Sequence, residues 1–162
     1  MAAKPNAIER TAAKEMDRRL RENGTTQHMG FVLTRATHGR VVLTMRVAKK
    51  HLQVHGVVHG GVLAAMADTA GGLASYMAAP PGQRVATIEM KINYLEAIAS
   101  GTVTADAKVV RIGRHISVVD CDITDETARL VGKALMTFFV GPFPASASPA
   151  TSKQKPLKRK RA

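Results

Sequence analysis

The chain has 162 residues, one domain's worth at roughly 100–200 residues per domain. Its apolar fraction of 45% is enough for a hydrophobic core; aromatics are only 4% and Trp is absent, so that core must be filled by Val, Leu, Ile, Met and Ala. The single cysteine, Cys121, excludes a disulfide framework. No apolar run approaches the ~20 residues of a bilayer span, and the N-terminal stretch has no apolar centre of the signal-peptide kind. Together these features predict a soluble, cytoplasmic protein with no transmembrane segment.

The net charge of +12 raises the question of a nucleic-acid partner. Half of that excess falls in the last twenty residues, which carry six Lys/Arg and no Asp/Glu. Rich in Pro, Ser, Ala and Lys, the stretch 142–162 reads as a disordered basic tail. The remainder is only mildly basic. Nucleic-acid binders that stack bases interleave basic patches with exposed aromatics, and six aromatics in all do not supply them. No specific nucleic acid is expected as a partner.

Residues 7–22 predict an amphipathic helix, with Ile8, Ala12, Met16 and Leu20 at helical spacing and Asn23-Gly24 as its stop. Residues 1–28 are thus an N-terminal helix and linker. Strand-like runs at 29–37 and 40–48 flank the turn His38-Gly39. After an irregular stretch, residues 60–79 form the one long central helix candidate, apolar nearly all round and therefore buried. Pro80-Pro81-Gly82 stops it. The runs 84–95, 101–112, 114–124 and 128–140 alternate as strands and predict an antiparallel meander. The expected fold class is α+β: an antiparallel sheet wrapped round one long central helix, with an extra N-terminal helix.

Two features of the central helix suit chemistry. It opens with His59-Gly60-Gly61, and Asp68 is its only charge. A helix N-terminus presents free N–H groups and partial positive charge, and glycine lets a substrate approach the backbone. Such an amide can polarise a carbonyl, while a carboxylate in an apolar setting suits general-base work. Eight residues separate Gly60 from Asp68, about 12 Å along a helix and about 80° around it. One subunit therefore cannot aim both at one carbonyl, whereas two antiparallel helices across a two-fold can. The small row Gly60, Ala64, Asp68, Gly72 fits such packing and equally fits packing on the chain's own sheet.

With HGGVLAAMADTA at 59–70, ATIEMKINYLEA at 86–97 and GRHISVVDCDI at 113–123, the sequence resembles the hotdog-fold acyl-CoA thioesterases, in particular their PaaI-type, phenylacetate-degradation branch. The resemblance spans about 29–140 and marks 29–141 as a hotdog domain. It implies hydrolysis of acyl-CoA to free acid and CoA, a homodimer or a homotetramer of two dimers, and no metal or organic cofactor. It further implies that the Gly60 amide polarises the thioester carbonyl, that His59 shapes that turn, and that Asp68 of the other subunit is general base or nucleophile. Gln53 stands where many relatives have Asn, and Thr87 where relatives place a Ser or Thr near the attacking water. CoA contacts are implied at Tyr94 and Leu95 and at the turn Gly113, Arg114, His115, with Arg114 as the phosphate partner. The Gln53 departure leaves open a second reading, a non-catalytic acyl-CoA binding or regulatory module.

Other constellations carry less. His51, His55 and His59 lie at four-residue intervals, but the glycines and the Val57-Val58 pair among them argue against a helical metal stripe. There is no G-x-S-x-G elbow and no nucleotide-binding glycine loop. Cys121 reads as a packed core thiol.

Overall fold

The computed structural model describes residues 7–142. The expected basic tail beyond Pro142 lies outside the described residues, as do the side chains of Ile8 and Ala12. Helix α1, Ala7–Glu22, stops where Asn-Gly predicts. It buries Met16 and Leu20, one turn apart, and turns a net of ion pairs outward, with Arg18 and Arg19 both held by Glu15. Asn23 then does two things. Its N–H closes α1 on the Arg19 and Leu20 carbonyls, and its side-chain oxygen accepts from the N–H groups of Thr25 and Thr26, capping a second helix. That helix, α2 at Gly24–Met29, occupies the expected linker. Six residues are too few to show a period in the sequence.

Six strands follow: β1 (Phe31–Thr37), β2 (Arg40–Arg46), β3 (Arg84–Tyr94), β4 (Thr102–Ile112), β5 (Ile116–Thr124) and β6 (Leu130–Gly141). Between β2 and β3 stands α3, Gly60–Ala78. Alternation puts Val41, Leu43 and Met45 of β2, Val103, Ala105 and Ala107 of β4, and Val119, Cys121 and Ile123 of β5 on one buried face. The other face carries charge, with Arg40 bidentate on Asp106 and Lys133 shared by Asp120 and Asp122.

The strand order is β1-β2-β4-β5-β6-β3, with every neighbouring pair antiparallel. This corrects one expectation. Residues 84–140 are not one meander, because β3 pairs with β6 rather than with β4, which lies between β2 and β5. The segment after β3 is no tight turn. Leu95 and Glu96 donate to the Val131 carbonyl of β6, Ile98 accepts from Val58 at the entry of α3, and Gly101 accepts from Val47 at the exit of β2. The chain thus crosses the whole end of the sheet before β4 begins, and β3 is left as an open edge of eleven residues.

Helix α3 lies on the buried face and touches all six strands. The face that meets the sheet is Leu63, Met66, Ala67, Ala70, Gly71 and Ala74. At Gly71 a Cβ would stand 2.7 Å from the end of Met136 and 3.0 Å from the Phe138 ring, so any larger residue must displace the Met136 side chain. Deeper along the helix the Ser75 and Ser117 hydroxyls pair at 2.9 Å, each satisfying the other in the core. Ala64, Asp68 and Gly72 stay only half-buried. The small row is therefore not the main face of α3 on the sheet, and it touches that sheet at its margin, with Asp68 on Thr87 and Gly72 against Phe138.

Candidate active site

The entry of α3 is built locally. His59 caps the helix, its Nδ1 accepting from the Gly61 N–H at 2.9 Å. That bond uses one of the free N–H groups of the first turn and fixes the imidazole against the glycines. The Tyr94 hydroxyl donates to the Gly60 carbonyl at 3.0 Å, and its ring lies so close that a Cβ on Gly60 would meet it at 3.0 Å. The backbone of Gln53 closes a loop with Val57 (2.8 Å) and Gly56 (2.9 Å). Gln53, Gly60, Tyr94 and Leu95 together line a cavity of about 370 Å³.

Asp68 lies two turns further on, in a different cavity of about 670 Å³. Its Oδ1 accepts from the Thr87 hydroxyl at 2.7 Å. The bulge in β3 between Thr87 and Glu89 sits at this point. A Thr–carboxylate bond of this length holds the carboxylate in one orientation, and a bond to a charged group is worth about 1.5–3 kcal/mol. If Asp68 has the catalytic role that the family resemblance implies, replacing Thr87 by Val is expected to lower kcat for thioester hydrolysis about tenfold, the lower end of that range, with a smaller change in KM. Steady-state kinetics of the variant check this, and an unchanged kcat would show that the orientation of Asp68 does not matter.

The CoA-contact candidates fall into two groups. Tyr94 and Leu95 are at the entry end of α3, where β3 pairs Tyr94 with Gly132. The turn Gly113-Arg114-His115 is at the far end. There the His115 carbonyl accepts from Val140, and its ring stacks on Phe139 with centroids 6.3 Å apart. Gly132 and Phe139 are about 24 Å apart along β6. One chain therefore brings neither Gly60 to Asp68 nor Tyr94 to Arg114.

Of the histidine series, His51 is buried, with its Nδ1 accepting from Ala48 at 3.0 Å and its pKa lowered chiefly by burial, while His55 and His59 are exposed. A short 3-10 turn at Lys49–His51 and the loop after it keep the three off a common helix face. Among the described residues no group of three His, Cys, Asp or Glu side chains is placed to hold a metal ion. Cys121 is fully buried and its thiol is pushed up to about 12, first by burial and then by the carboxylates of Asp106, Asp122 and Asp120, which makes it inert. Among the described residues no helix is long and apolar enough to cross a membrane.

Several residues of the Asp68 cavity carry no signal in the sequence. Arg19 and Asn23 come from the N-terminal segment, Tyr76 from the last turns of α3, Gln83 from the loop after it, and Phe138 from β6. Only the fold brings five such separate positions together.

Residues 55–132 match the family model described as the thioesterase superfamily. Among curated proteins, the 1,4-dihydroxy-2-naphthoyl-CoA hydrolase of Listeria monocytogenes is 31% identical over 108 residues, covering 67% of this chain and 88% of that one. A thioesterase of Haemophilus influenzae superposes with a TM-score of 0.74 at 31% identity, over 79% of this chain and 89% of the other. The PaaI protein of the E. coli phenylacetic acid degradation operon superposes with a TM-score of 0.72 at 26% identity, over 80% and 93%. An antiparallel sheet wrapped on one helix that opens with His-Gly-Gly thus has the company its geometry calls for. This chain belongs to the thioesterase superfamily, as a PaaI-like thioester hydrolase with the hotdog fold.

Proposed function

We propose that the unit at 29–141 hydrolyses acyl-CoA thioesters to free acid and CoA, in sites that two copies of the chain build together across a two-fold axis. In each site the Gly60 amide of one subunit polarises the carbonyl, and Asp68 of the other activates water or attacks directly. The observation that carries this reading is the separation of the two half-sites. Gly60 with Gln53 and Asp68 with Thr87 line different cavities, and their places on α3 differ by about 12 Å and about 80°. A two-fold that laid α3 antiparallel on its copy would set each Gly60 beside the other Asp68. The half-buried Ala64 midway between them is small enough for that approach. The open edge of β3 beside it, with Ile88 54% exposed, offers backbone groups for the same contact. The same arrangement would bring Tyr94 and Leu95 of one copy toward the Gly113–His115 turn of the other. His59 sets the turn, Gln53 flanks the carbonyl site, and Thr87 orients Asp68. The unit is a homodimer, or a tetramer of two such dimers.

Subunit mixing tests the shared site. Asp68→Asn and Gly60→Val proteins should each be inactive when assayed alone. Unfolded and reassembled together, half the dimers are mixed and each has one intact site, so activity should return to roughly a quarter of the wild-type value. Phenylacetyl-, hydroxybenzoyl- and straight-chain acyl-CoAs serve as substrates, with released CoA thiol as the readout. A mixture as dead as its components places both residues in one chain's site and sinks the shared arrangement.

A further inference from the structure

We propose that Tyr76, latched by Arg19 of the N-terminal helix, is a gate that sets the length of the acyl group the enzyme accepts. The inference rests on the preceding reading, in which the thioester carbonyl meets Asp68, and it lays the acyl group in the cavity that Asp68 lines. Asp68, Gly72 and Tyr76 follow one another at four-residue spacing, so they stack along one side of α3. Gly72 has no side chain, which leaves the floor open between the other two, and the Phe138 ring lies just beneath it. Positions 68 and 76 are about 12 Å apart along the helix, room for roughly ten carbons in an extended chain laid beside it.

At that point Arg19 holds Tyr76 in place. The Arg19 guanidinium stands 4.2 Å over the centroid of the Tyr76 ring and donates from Nη2 to its hydroxyl at 2.9 Å. Glu15 holds the same guanidinium from behind, with Nε to Oε1 at 2.9 Å. Around this contact the rim is polar, formed by Arg19, Asn23 and Arg84. A methylene pushed against it is not buried in anything apolar.

Behind Tyr76 the chemistry reverses. A second cavity of about 520 Å³ is lined mainly by Met16, Met77, Pro80 and Pro81, together with Thr11 and Glu15, and it shares Tyr76, Gly82 and Gln83 with the first. Tyr76 thus stands between an acyl cavity that ends in charge and a mostly apolar one under α1. Arg19 lies before the segment 55–132 that matches the family model.

The test is the acyl-length profile. kcat/KM is measured on straight-chain acyl-CoAs from six to sixteen carbons for the wild type, Tyr76→Ala and Arg19→Ala. The wild-type profile should fall steeply beyond about ten carbons. With Tyr76→Ala the cavities join, and each methylene newly buried is worth about fourfold. The ratio of the fourteen-carbon to the eight-carbon value should therefore rise at least ~10-fold. Arg19→Ala keeps the ring and frees it, so it should shift the ratio the same way by less. Arg19 lies on an exposed helix surface, so this variant stays informative even if Tyr76→Ala fails to fold. An unchanged ratio in Arg19→Ala overturns the latch, and an unchanged ratio in both overturns the gate while leaving thioester hydrolysis in place.

Calorimetric binding of the same thioesters to Asp68→Asn, with and without Tyr76→Ala, separates the two readings. If the wild type hydrolyses none of them, the proposed activity fails, yet the length dependence of binding must still shift if the gate is right. Absence of binding by any of them overturns both.

Discussion

Asp68→Asn is expected to lower acyl-CoA turnover at least ~100-fold, the low end for loss of a general base. The substitution is nearly isosteric, and its amide oxygen can still accept from the Thr87 hydroxyl that lies 2.7 Å from Asp68 Oδ1. What goes is the negative charge and with it the capacity to take a proton from water or to attack the carbonyl. Folding should be undisturbed, because Asp68 stands on the half-buried side of α3 rather than on the face that meets the sheet. The expected signature is a collapsed kcat with an unshifted thermal unfolding midpoint and little change in KM, the pattern of an interaction made mainly in the transition state. Release of CoA thiol, wild type beside variant, measures it. Turnover within a few-fold of wild type would remove Asp68 from the mechanism and leave polarisation at Gly60 as the remaining source of catalysis.

Phe138→Ala should cost about 3–5 kcal/mol of stability, the usual range for deleting a buried aromatic. Phe138 is 1% exposed and is the largest fully buried side chain of the described core. Its ring packs on α3 with Gly71 and Gly72 both against it. Removing the ring leaves a void that neither glycine can fill, and the helix backbone cannot move in without dragging its neighbours off the other strands. Against a typical total of 5–15 kcal/mol, that is a large share. Urea unfolding should show a much lower midpoint with an unchanged slope. Phe138→Leu, which fills most of the volume, should recover most of the loss. A cost below ~1 kcal/mol for the alanine variant would mean that this contact is loosely packed. Because Phe138 also lines the Asp68 cavity, the two predictions bear on one region from opposite sides, chemistry on one and packing on the other.

The site was partly legible before the fold was known, and the limits have physical causes. His59, Gly60, Gly61 and Asp68 lie within one helix, so their relative placement follows from helical geometry alone. That geometry already says that Gly60 and Asp68 cannot meet within a chain, and the separate cavities agree. Thr87 entered only through family resemblance, since nothing local says that a residue nineteen positions away will reach the carboxylate. Arg19 was legible only as one charge on an amphipathic helix. Its contact with Tyr76 spans 57 positions and depends on how α1 docks.

The elements themselves were written in local patterns: period two in the strands, an apolar run bounded by Gly and Pro in α3, and Asn-Gly at the end of α1. Such patterns act over a few residues, through backbone sterics, capping and the alternation of side chains, so they survive in the linear chain. Strand neighbours do not. β3 and β4 are adjacent in sequence, and only the crossing segment from Leu95 to Gly101, bonded in turn to β6, the α3 entry and β2, sends β3 to the opposite edge. That choice is made by which long-range hydrogen bonds and buried faces can be satisfied together. It opens the edge of β3 beside Asp68, while the docking of α1 places Arg19 on Tyr76. The residue types and their local spacing thus carry the chemistry, and the long-range packing decides which of them share a cavity.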